Sequence, residues 1–199
     1  MEWKIKQDFK DKLRYATIAW LEDWLARFDT SELAYINMRL PVKAQSTKGG
    51  HGGVYGMCYY PARKKRDRVG IKAYYRISCT VAQKIIPFQI DTRRKPLYKN
   101  PDGTWPPVPE GCKKGAWNSA NNNGKVREWW SIIGQTNINT FDEAAVWLFG
   151  HEIFHFLRRT KQVPGRNTQI EADVFGDALL YCFRIDRKVD NFGLPVRSQ

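Results

Sequence analysis

The sequence predicts an α+β domain, and three observations predict it. Apolar residues alternate with period two between positions 35 and 77, as in strands with one buried face. Near the end, residues 141–159 are apolar almost all round and residues 169–185 are amphipathic, two helical patterns in succession. Hydrophobic residues make up 42% of 199 positions, with eight Trp, enough for a core without cross-links. We expect one domain over 1–199, with an irregular insertion at about 91–128.

Taken in order, Phe9, Leu13, Ala16, Trp20, Trp24 and Phe28 recur at helical spacing and predict a helix over 8–29. Ile36, Met38, Leu40 and Val42 then share one face of a strand, with Tyr35, Asn37 and Arg39 on the other. After the glycine loop Gly49–Gly53, strands at 54–60 and 69–77 pair across a basic connection that contains Arg63, Lys64, Lys65, Arg66 and Arg68. That run is read as a solvated hairpin tip. Four prolines between 101 and 109 and the run Asn121-Asn122-Asn123-Gly124 argue against regular structure in 91–128. A short strand follows at 130–138, with Trp130, Ile132, Gly134, Thr136 and Ile138 on one face.

Net charge is +13, which points to nucleic acid or another anionic surface as a candidate partner. The polar start from Met1 to Lys12 carries no signal-peptide pattern, and no apolar run reaches the eighteen or so residues of a membrane span. Cys58, Cys79, Cys112 and Cys182 are far apart and form no CxxC pair. They are expected to be free thiols in a reducing compartment, the cytoplasm.

The chemistry concentrates in His151-Glu152-Ile153-Phe154-His155. Two histidines four apart lie about 40° apart around a helix axis, so both imidazoles reach one ion without backbone distortion. Glu152 falls beside them, where it can act on water as a general base. Thr140 and Glu143 form a capping box at the helix start, and Val163-Pro164-Gly165 stops the chain beyond it. A core helix does not carry two histidines and a glutamate unless a metal or hydrogen bonds satisfy them. Zinc, Zn2+, is the expected ion for imidazole and carboxylate ligands.

A catalytic zinc usually has three protein ligands. The remaining histidine, His51, lies in the glycine loop, and none follows His155. Of the later carboxylates, a helical wheel groups Glu171 with Val174, Phe175, Ala178, Leu179 and Cys182 on the inward side. It places Asp173, Asp177 and Arg184 together on the other, solvent-facing side. Glu171 is therefore the expected third ligand, with a capping box from Thr168 to Glu171 as its competing role.

These residues resemble the glutamate-zincins, or gluzincins. The stretch from Glu171 to Leu180 is similar to the ligand helix of small intracellular peptidases of the ImmA/IrrE type, with Gly176 where that pattern prefers Ala. The similarity covers about 130–185. It implies a zincin-like fold, with a small twisted, mostly antiparallel sheet, a buried active-site helix and an adjacent ligand-bearing helix. It also implies a zinc-dependent peptidase acting on a protein or peptide. In it, His151, His155 and Glu171 are the metal ligands and Glu152 is the catalytic base. The alternative is a basic module that binds nucleic acid or protein on a zincin scaffold, its zinc structural or vestigial.

Overall fold

The computed structural model of the chain describes residues 1–41, 54–61, 74–82 and 86–187. Two sheets and four helices make a mixed α+β architecture among these residues. The first sheet has the order β1-β2-β4-β3, from β1 (Glu2–Ile5), β2 (Leu33–Arg39), β4 (Tyr75–Val81) and β3 (Val54–Tyr59). Contrary to expectation this sheet is mostly parallel. β1 and β2 run parallel, as do β2 and β4, and only the edge strand β3 is antiparallel. Parallel neighbours need a crossover. The helical segment between β1 and β2, with α1 (Gln7–Lys10) and α2 (Thr17–Leu25), supplies the first.

The alternation in β2 turns Ile36 and Met38 into the core, as expected, and in β4 Tyr75 and Ile77 are buried with Cys79 and Val81. Val42, the glycine loop with His51, and the basic run Arg63–Arg68 lie outside the described residues.

The single helix predicted over 8–29 is two helices with a break between them. Asp142 causes the break. Its buried carboxylate accepts from the backbone N–H of Arg14 (3.1 Å) and of Tyr15 (3.3 Å), and from the Thr17 hydroxyl. A tertiary hydrogen-bond set thus overrides local helix propensity.

Residues 91–128 are not irregular. Most of them belong to a second, antiparallel sheet of order β5-β7-β6, made of β5 (Phe88–Tyr98), β6 (Cys112–Asn122) and β7 (Lys125–Ile138). The four prolines at 101–109 sit in the β5–β6 connection, and Pro96 falls at the irregularity between Arg94 and Leu97. The Asn run is a hairpin turn. Asn123 (φ 52°) and Gly124 (φ 81°) are both left-handed, which is what a two-residue turn between antiparallel strands requires.

Helix α3 (Phe141–Arg159) is the centre of the molecule, and every residue from Phe141 to Leu157 is buried. Its N-cap is as expected: Thr140 accepts from Glu143 N–H at 3.1 Å, and the Glu143 carboxylate accepts from Asn139 N–H at 2.7 Å. One side of α3 packs on β3 and β4, another on α4 (Gln169–Asp186), and α4 in turn packs on β5. The two helices meet at glycines. A Cβ on Gly150 would stand 3.1 Å from Gly176 Cα, and one on Gly176 would stand 3.0 Å from the Trp147 carbonyl oxygen. No helix among the described residues is long and apolar enough to cross a membrane.

Candidate metal centre

His151, Glu152 and His155 face one cleft of about 320 Å³ between α3, the edge strand β3 and the start of α4. All three are buried. The imidazole rings lie 5.3 Å apart between centroids, as one helical turn requires. Burial holds His155 below its ordinary pKa, so its ring is neutral and has a lone pair to offer.

Each ring faces an oxygen acceptor at Nδ1. Asn167 Oδ1 lies 2.7 Å from His155 Nδ1 and so fixes that ring's proton there. Asp173 Oδ1 lies 2.9 Å from His151 Nδ1. In front, both rings meet one side chain, Gln169. Its Oε1 is 3.0 Å from His151 Nε2, and its Nε2 is 3.3 Å from His155 Nε2.

Glu152 points along the cleft to β3. A Cβ on Gly56 would stand 2.7 Å from Glu152 Cδ, so any other residue there would displace this carboxylate. Burial pushes the Glu152 pKa up to about 7, against the opposing pull of His151 and a hydrogen bond from the Cys58 backbone. Burial also lifts the Cys58 thiol to about 12, so it stays protonated.

Glu171 does not join the histidines. Its carboxylate turns back and accepts from Arg166 N–H at 2.6 Å, while its own N–H donates to the Thr168 cap at 3.2 Å. Its contacts are those of a residue at the helix start. Among the described residues, no three His, Cys, Asp or Glu side chains come together to hold a metal ion.

The helical wheel of α4 is corrected in part: Leu179 is buried and Phe175 packs on the core as expected. Asp173, Asp177 and Arg184 do share a side, but it is the inward one. Asp173 is fully buried, whereas Val174, Ala178 and Cys182 are exposed. The second sheet covers that polar side and supplies donors to it. Arg93 N–H on β5 donates to Asp173 at 2.6 Å. Asp177 accepts from Thr136 (2.6 Å), Trp147 (2.8 Å) and Arg94. Gln169, Asn167 and Gly56 were not singled out from the sequence. The only signal for Gln169 and Asp173 was their four-residue spacing on a helix that follows the histidine pair.

The residues can be tested against a metal by counting protons. A neutral imidazole has one N–H. His151 faces two acceptors, Asp173 at Nδ1 and Gln169 Oε1 at Nε2, and no aligned hydrogen bond forms on the Asp173 side. His151 Nδ1 and Asp173 Oδ1 are thus buried without a well-made partner. A second ring proton or a cation between the two Nε2 atoms removes the conflict, and with a cation there both ring protons would sit at Nδ1, facing Asp173 and Asn167. The imidazole pair therefore fits a divalent cation, with carboxylate and amide acceptors behind it as metal-binding histidines require. Comparison with family models, with curated proteins and with solved structures finds no match to this chain.

Proposed function

We propose that the cleft is the active site of a zinc-dependent peptidase with a zincin-like arrangement, in which His151 and His155 hold the metal through Nε2. The reading rests on one observation: two imidazoles, each with an acceptor facing Nδ1, present Nε2 to the same Gln169 side chain, with the Glu152 carboxylate in the same cleft. Zinc in such a site supplies a Lewis acid that polarises a carbonyl and acidifies water. Glu152 takes the proton of the attacking water and delivers it to the departing amine. A buried carboxylate is suited to both tasks, since its proton affinity is raised toward neutral pH. Strand β3 is the edge of its sheet and lines the cleft, so an extended peptide can pair with it as an added strand.

The test is zinc content and peptide hydrolysis of the purified chain. We expect zinc bound at one site, hydrolysis lost with a chelator, and hydrolysis restored by zinc. Chelator-insensitive hydrolysis, or a chain that takes up no zinc, sinks the reading.

A second reading is favoured by the second sheet. Trp105, Trp117 and Trp130 stand edge to face in a row at 5.3 and 5.2 Å, with Lys99 over Trp105 and Lys114 over Trp130. Aromatic rings among cations suit the stacked bases of single-stranded nucleic acid. Binding to a single-stranded oligonucleotide should then weaken as salt rises. Trp117→Ala should cost about 1–3 kcal/mol. Binding that is indifferent to both speaks against it.

A further inference from the structure

We infer that Gln169, two residues before the glutamate expected from the sequence, is the third arm of the metal centre. Its neutral amide makes the site a loose one, filled only when metal is plentiful. This rests on the metal reading above.

The geometry points to Gln169 alone. Among the described residues it is the one side chain that approaches both Nε2 atoms, at 3.0 and 3.3 Å. The nearby carboxylates on α4 are committed elsewhere. Glu171 is bound to Arg166 N–H, and Asp173 lies behind His151, on its Nδ1 side. The Gln169 amide spans the two ring nitrogens, where an ion held by both would lie. When metal enters, that amide must give up both contacts and turn its oxygen to the cation. Two imidazoles and an amide bring no negative charge to a dication. A carboxylate at the same reach brings one. Position 169 is also the first residue of α4, where the helix dipole favours an anion. The consequence is regulatory: occupancy follows the free metal concentration instead of remaining saturated.

The experiment measures zinc affinity of the full chain by competition with a chromophoric chelator, with Co2+ absorption as a second readout of ligation. Gln169→Glu, which keeps the length of the side chain, should tighten zinc by tenfold or more. That is roughly the lower end of what partners one shell further out contribute. Gln169→Ala should weaken it, and Glu171→Gln should leave it within about twofold of the parent, an ordinary surface effect. Unchanged affinity in Gln169→Glu, or weakening in Glu171→Gln, overturns the assignment. Failure of both the parent and Gln169→Glu to take zinc overturns it together with the metal reading. Tightened zinc with no hydrolysis in any variant upholds the assignment and removes only the peptidase.

Discussion

Glu152→Gln is expected to keep its zinc and lose about 10²–10⁴-fold in peptide hydrolysis, the range a positioned general base supplies. The amide matches the carboxylate in shape and still fits against Gly56, but it cannot take a proton. The same substitution should do the opposite to stability in chelator-treated protein. The carboxyl's pKa is raised by burial from 4.5 to about 7. A group raised on folding contributes stability that is complete below its unfolded pKa and is lost as pH rises through the folded one. Metal-free parent protein should therefore weaken between pH 5 and 8, while Glu152→Gln does not. At pH 8 the variant should be the more stable by something on the order of 3 kcal/mol. Thermal melts at the two pH values read this directly. A parent curve that is flat over that interval contradicts it, and full hydrolysis by the variant contradicts the catalytic role.

Arg184→Ala should be the most damaging single change outside the cleft. The guanidinium binds both Glu143 oxygens at 2.9 Å and the Asn137 carbonyl at 2.7 Å. The Glu143 side chain is 1% exposed and that of Arg184 14%. Removing the cation leaves a buried carboxylate in the first turn of α3 and an unanswered carbonyl at the end of β7. Breaking a buried pair in this way costs about 3–5 kcal/mol. For a chain of this size that is roughly 10 °C in Tm. The double variant Glu143→Gln/Arg184→Met, which removes both charges, should recover much of the loss. A single variant that melts within about 2 °C of the parent, less than 1 kcal/mol, shows that the pair does not bear on stability.

Helix α3 was legible because its signals are local. A Thr cap, an unbroken apolar surface and the spacing of two histidines need nothing from elsewhere in the chain. Helix α4 was legible in extent but not in orientation, and the two failures in the sequence reading are one failure. A wheel assigns the apolar side inward, which holds when a single partner surface exists. Here α4 has a second partner, the β5–β7–β6 sheet, whose donors meet Asp173 and Asp177 and whose Asn137 carbonyl accepts from Arg184, so the three form an interior stripe. That sheet is masked in the sequence because its prolines and asparagines give the whole stretch a loop-like composition. They are concentrated in one long connection and one tight turn, and Asn123-Gly124 is a hairpin signal in its own right. Without the sheet, Asp173 had no reason to point inward, and the apolar arc drew the choice to Glu171.

The contact between Gly150 and Gly176 bears on how the centre tolerates change. Side chains in a core adjust by choosing other rotamers, but two main chains in van der Waals contact have no such freedom. The gap between the helix of the imidazoles and the helix of Asp173 and Gln169 is thus gauged by backbone against backbone. Repacking elsewhere in the interior leaves that gauge alone. A single methyl at either glycine meets the opposite main chain at about 3 Å, so the helices must part by a few tenths of an ångström at that contact.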